Sequence, residues 1–166
     1  MTNDEETMVK LDRMRYTNNK FSSTLCILAI VFDVVYFISI YKTDVGTWYY
    51  SILTGASIIY NLVFLLAAFL SMEGVKNYRK TYSYVLIVIG IIQIIRIFTI
   101  PVKAHSSVVL VAGVEKLAME NAQFVRCIIY LLVSAASCIV SAVVGIVKTN
   151  KLTAYLSTID TSIRRD

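Results

Sequence analysis

Four apolar runs, residues 22–41, 48–71, 82–100 and 124–147, are each long enough to cross a bilayer as a helix. A hydrocarbon core about 30 Å thick needs roughly 20 residues at about 1.5 Å of rise each. The expected fold class is therefore all-α, a polytopic membrane protein built as a four-transmembrane-helix antiparallel bundle. The hydrophobic share of 57% points the same way, because apolar residues make up only about 45–50% of an ordinary soluble domain. The longest piece outside the spans, 101–123, is too short to hold a soluble catalytic domain. The expected organisation is a tail over 1–21, a transmembrane domain over 22–147 that includes the outer segment 101–123, and an amphipathic tail over 148–166.

The first tail opens with Asp4, Glu5 and Glu6, continues with Lys10, Arg13 and Arg15, and has no apolar core before residue 22. A signal peptide would show an apolar stretch of about 7–15 residues ending at a small-residue cleavage site, so the first span is expected to stay in the mature chain. Lys10, Arg13, Arg15, Lys20, Lys76, Arg79, Lys80, Lys148, Lys151, Arg164 and Arg165 fall in the two tails and in the loop between spans two and three, whereas Lys42, Lys103 and Lys116 fall on the opposite side. Short loops rich in Lys and Arg stay cytoplasmic, which predicts both termini inside and the cell membrane as the location. The net charge of +5 then reads as a topology signal with some attraction to anionic lipid. Nucleic-acid binding is not expected, because the basic residues hug helix ends rather than forming a face with stacking aromatics. Tyr41, Trp48, Tyr49 and Tyr50 at the predicted outer border, and Tyr16, Tyr78, Tyr82 and Tyr84 at the inner one, read as interfacial belts.

Signatures of chemistry are absent from the chain. Cys26, Cys127 and Cys138 all lie inside spans with no CxxC or Cys/His spacing, and read as small apolar filler, Cys138 being placed to reach neither of the others. His105 has no second His with which to share a metal. No nucleophile has a base beside it, so the expectation is a non-enzymatic protein with no cofactor and no metal.

The informative residues are polar ones inside lipid-length runs: Asp33 in span one, Asn61 in span two, Gln93 and Arg96 in span three, and Arg126 in span four. An ionised side chain near the bilayer centre costs about 2.5–3.5 kcal/mol on insertion scales, so such residues face inward and find partners. Depth gives Asp33 two candidate cations, Arg96 and Arg126, of which Arg126 sits close enough to its span end to snorkel. Helical spacing adds stripes: Arg126, Tyr130, Ser134, Ser137 and Ser141 on span four, and Thr54, Ser57, Asn61 and Ala68 on span two. Ser134, Ser137, Ser141 and Gly145 belong to small-xxx-small runs that let helix backbones approach, and read as helix-packing positions. Ile87, Ile91, Ile94 and Ile95, with Ile128, Leu131 and Leu132, are placed on faces that look out to lipid.

The connections are uneven. Loops 42–47 and 72–81 are short, which makes spans one to three neighbours. Pro101 stops span three, and the following segment reads as an extension of the fourth helix capped by Ser106 or Ser107, or else as an interfacial or re-entrant piece. Val108 and Val111 there, with Leu152, Leu156, Ile159 and Ile163 on the last amphipathic stretch, are candidate docking residues. The amino-terminal tail has a similar pattern, so the two tails are candidates to pack together. These features lead to the expectation of a small subunit or accessory protein of a larger membrane complex, in contact with the bilayer and with a membrane-protein partner or a second copy. The alternative is a small homo-oligomeric transporter or channel with Asp33 and Arg96 as its charged gate, although no span is broken by the Pro or Gly pair of a discontinuous transporter helix.

Overall fold

A computed structural model describes residues 3–40, 48–111 and 114–163. Among them the chain order is α1 (Asn3–Tyr16), α2 (Lys20–Ile40), α3 (Trp48–Lys76), α4 (Lys80–Thr99), α5 (Pro101–His105), β1 (Val108–Val111), β2 (Val114–Leu117) and α6 (Asn121–Ile163). Four helical segments, Lys20–Ile40, Gly55–Lys76, Lys80–His105 and Asn121–Asp160, are long and apolar enough to cross a membrane. They form a bundle in which α2 packs on α3 and α6, and α4 packs on α3 and α6. Tyr41, the loop 42–47 and the side chains of Trp48, Tyr49 and Tyr50 lie outside the described residues.

The α3–α4 connection is tighter than expected. Helix α3 runs on to Lys76, leaving Asn77, Tyr78 and Arg79 as the whole loop. The Tyr78 amide donates to the Val75 carbonyl at 3.2 Å and the Arg79 amide to the Gly74 carbonyl at 2.9 Å, the pair of bonds that ends a helix in the Schellman manner. Tyr78 takes the left-handed conformation this requires, at φ 56°, where glycine would normally sit. At this same end of the bundle the Asn19 amide donates to the Lys76 carbonyl at 2.9 Å. The Asn19 side chain donates to Ser22 Oγ at 2.8 Å and accepts from Lys148 Nζ at 3.0 Å. One buried asparagine thus ties the start of α2 to the end of α3 and to α6.

The opposite end is closed differently from what periodicity predicts. Segment 101–123 is not one long extension of the last helix, which begins only at Asn121. It is the single turn of α5 followed by a hairpin in which β1 and β2 pair antiparallel, Val108 facing Leu117 and Val111 facing Val114. Val108, Val109, Val111 and Val114 are β-branched and prefer extended backbone to helix. Ser106 and Ser107 cap no fourth helix; their hydroxyls donate back to the Lys103 carbonyl. Met119 is fully buried in a cluster with Tyr36, Ile97 and Ala104, its carbonyl 3.3 Å from His105 Nδ1, and the His105 ring stacks on Phe124 with centroids 4.3 Å apart.

Helix α6 spans 43 residues without interruption, about 65 Å at 1.5 Å per residue, more than twice a hydrocarbon core. The amphipathic stretch after residue 147 continues the helix of the final span as far as Ile163. Helix α1 packs against it, and a shallow groove between them is lined by Arg15, Thr153, Leu156, Ile159 and Asp160.

Two apolar clusters fill the interior. One joins Cys26, Ala29, Phe64, Ala68, Val75, Leu86, Ile89, Cys138 and Ala142; the other joins Tyr36, Ile97, Ala104, Met119, Cys127 and Leu131. One expectation changes here: Leu131, placed on a lipid face, is fully buried in the cluster of Tyr36 and Cys127. Cys26, Cys127 and Cys138 are buried and free of disulfides. Close approach depends on Gly145: a Cβ there would stand 2.6 Å from Ser83 Oγ and 3.0 Å from Val75 Cγ1. Gly145→Leu should lower stability by about 1–3 kcal/mol through overpacking, measured as a lower midpoint in detergent-exchange unfolding. Gly55→Leu, at a position with open space around it, should leave that midpoint unchanged.

Candidate functional site

Between the two apolar clusters lies one polar layer, to which every long helix contributes. On α2 it falls between Ala29 and Tyr36, at Asp33; on α3 between Phe64 and the helix start, at Ser57 and Asn61. On α4 it lies between Ile89 and Ile97, at Gln93 and Arg96, and on α6 between Cys138 and Leu131, at Ser134. Residues three and four apart share a helical face, so each helix carries its polar residues on the stripe that also carries its core residues.

The centre is the pair formed by Arg96 and Asp33, with Nη1 3.1 Å from Oδ1. Both side chains are buried, at 5% and 1% exposure, which rules out solvent as their source of stabilisation. Gln93 Nε2 donates to the same Asp33 oxygen at 2.8 Å and to Ser134 Oγ at 3.4 Å. Arg96 Nη2 donates to Ser57 Oγ at 2.8 Å. Ser134 in turn donates to the Ala29 carbonyl at 2.9 Å, so the network links α2, α3, α4 and α6. The guanidinium also lies over two aromatic faces, 4.6 Å from the Tyr36 centroid and 4.7 Å from that of Tyr60. Such cation–π contacts are worth up to about 2 kcal/mol when desolvated.

The remaining polar residues divide between this layer and elsewhere. Asn61 is buried at the layer's edge, and neither of its amide atoms has a hydrogen-bond partner among the described residues. Arg126 is exposed and donates to the Ala122 carbonyl at 3.1 Å, so it is not a partner of Asp33. The reason is rotational: Cys127 and Leu131 occupy the buried face of α6 at that depth. Ser141 donates to the Ser22 carbonyl at 2.8 Å and lies 3.2 Å from Cys26 Sγ, while Ser137 and Gly145 are buried on the same side. Of the docking candidates, Val108 and Leu156 are exposed and Leu152 and Ile159 half-buried. The side chains of Val111 and Ile163 lie outside the described residues.

Tyr36, Tyr60 and Asn19 are passed over by a reading of sequence alone. Tyr36 follows Asp33 by three residues and Tyr60 follows Ser57 by three, a spacing that places both on the polar stripes. Treating tyrosines as interfacial anchors hides it. Asn19 carries no such signal, since its role depends on where Lys76 and Lys148 arrive in space.

Comparison with family models, curated proteins and solved structures finds nothing that matches this chain. Among the described residues there is also no group of three or more His, Cys, Asp or Glu arranged to hold a metal.

Breaking one partner of a buried ion pair typically costs about 3–5 kcal/mol, because the other charge is left uncompensated. Asp33→Asn and Arg96→Met should each show a loss of that order in detergent-exchange unfolding. The double variant should lose clearly less than their sum, since the two share one interaction. Equal and additive effects would mean that the two charges do not depend on each other.

Proposed function

We propose that this chain is a small non-enzymatic subunit or accessory protein of a larger membrane assembly. In this reading it is an antiparallel four-helix bundle in the cell membrane with both termini cytoplasmic. The observation that carries the reading is the polar layer enclosed between two apolar clusters. A conducting path needs polar groups reaching towards both ends of a bundle, whereas Asp33, Gln93, Arg96, Ser57 and Ser134 are joined in one layer by hydrogen bonds, with Asp33 Oδ2 left without a partner among the described residues. Their chemistry is that of a lock holding helices in register.

The outside of the bundle supports the same reading. Ile59, Leu62, Val63, Leu66 and Phe69 leave one side of α3 apolar and exposed, available to lipid or to a neighbouring helix. Helix α6 carries the bundle's longest element beyond the other spans, and with α1 it offers a handle outside the hydrocarbon. The distribution of Lys and Arg at the ends where α2 begins and α3 ends favours the cytoplasm for that side.

The second reading is a homo-oligomeric transporter or channel. It draws on a single feature, that Arg96 and Ser57 also line a cleft between α3 and α4. Mild solubilisation of the tagged chain at native expression, followed by native mass measurement, separates the two. The expected outcome is a stoichiometric complex with a larger membrane protein. A homo-oligomer with nothing else bound, showing solute flux in vesicles that Arg96→Met abolishes, would establish the transporter instead. For the topology, a reporter active only in the cytoplasm should work at the carboxy terminus and fail when inserted between β1 and β2.

A further inference from the structure

At the end of the bundle tied by Asn19, three exposed apolar stripes stop in lysines. On α2, Val31 and Leu28 lead through Thr24 to Lys20; on α4, Ile91, Val88 and Tyr84 lead to Lys80; on α6, Val140, Val143 and Val147 lead to Lys151, every one of them exposed. Each series steps by three or four residues, so the lysine closes the stripe on its own helix face. The contacts of Asn19 bring these endings together. Its amide reaches the Lys76 carbonyl and its side chain reaches Lys148, while the three-residue loop carries α3 directly into α4 at Lys80.

Charge sets this end apart. Elsewhere basic side chains stand beside carboxylates: Lys10 lies 3.9 Å from Glu6, Arg15 3.5 Å from Asp12 and Arg96 3.1 Å from Asp33. Here only Lys76 does so, with Glu73 at 3.2 Å. Lys20, Arg79, Lys80, Lys148 and Lys151 form no ion pair among the described residues. Lys148 is half-buried, yet its ammonium donates to the neutral Asn19 Oδ1 at 3.0 Å, which leaves two donors and the whole positive charge unmatched. The opposite end is mixed, since between residues 101 and 126 Lys103, Lys116 and Arg126 alternate with Glu115 and Glu120.

A partly buried cation without a counter-ion calls for an anion. A soluble anion would meet that charge and leave the apolar stripes uncovered. An anionic phospholipid meets both, with its phosphate level with the lysines and its chains along the residues that each lysine closes.

We propose that the Asn19 end of the bundle is a docking belt for anionic phospholipids, with phosphate groups on Lys20, Lys80, Lys148 and Lys151 and acyl chains on the adjoining stripes of α2, α4 and α6. The belt is independent of whether the bundle acts as a subunit or as a transporter. It requires only that these helices cross a bilayer.

The test is native mass spectrometry of the intact chain in detergent, titrated with palmitoyl-oleoyl phosphatidylglycerol and, separately, with the phosphatidylcholine of the same chains. Lys20→Gln combined with Lys151→Gln removes two exposed charges from the belt. Lys103→Gln combined with Arg126→Gln removes two exposed charges from the opposite end and controls for net charge. The parent should bind phosphatidylglycerol about ten-fold more tightly than phosphatidylcholine. The belt variant should lose about five-fold of that preference, a change of about 1 kcal/mol, and the control should keep it. Excess glycerol 3-phosphate should displace no bound lipid. Equal affinity of the parent for the two lipids, or an equal loss in the control, would overturn the belt. Displacement by glycerol 3-phosphate would make the ligand a soluble anion and overturn the docking of lipid.

Discussion

Everything in this bundle turns on the burial of one ion pair. Asp33 and Arg96 sit 3.1 Å apart with almost no exposure, on helices that would each resist taking an isolated charge into hydrocarbon. Neither charge is tolerable alone, so α2 and α4 must present these two residues to one point. Gln93 adds a second donor to Asp33 Oδ1, and Ser57 on Arg96 and Ser134 on Gln93 bring α3 and α6 to the same point. A polar contact between lipid-embedded helices adds only about 0.6 kcal/mol on average. The larger effect of the layer is therefore orientational, because it selects the rotation of every helix about its axis. Once that rotation is chosen, Ile59, Leu62, Leu66 and Ile95 have nowhere to point but outward.

The two ends of the bundle are secured by different chemistry. At the end where α2 begins, Asn19 spans three elements through its amide, its side-chain donor and its acceptor, and a three-residue loop joins α3 to α4. Close contacts made possible by Gly145 and Ser83 bring α4 and α6 together nearby. At the other end α4 is followed by the turn of α5 and the hairpin of β1 and β2 before α6 begins, and buried Met119 and the stacked rings of His105 and Phe124 join α5 to the start of α6.

This arrangement bears on function through what it leaves outside. Asp33 and Arg96 are paired inside, apolar faces such as Ile59, Leu62 and Leu66 are presented outside, and a cleft between α3 and α4 is lined in part by Ser57 and Arg96 of the central network.

Much of this is legible from residues alone, for a physical reason. Hydrocarbon length, the cost of charge in lipid and the 3.6-residue period act on any chain locally, so four spans, an inward Asp33 and Arg96, and packing serines at Ser134 and Ser141 follow from sequence without knowing which helix touches which. What tertiary structure decided is the set of relations between distant segments. Arg126 has the same chemistry as Arg96 but the wrong rotation, and it ends on the surface bonded to Ala122. Leu131 has the chemistry of a lipid-facing residue and is buried because α2 brings Tyr36 against it. Tyr36 and Tyr60 become part of the charged centre only when α2 and α3 place their rings on either side of one guanidinium. Local energetics specify that a helix exists and which residues must be hidden; only packing selects the partner that hides them, because a contact energy has no value until the second helix arrives.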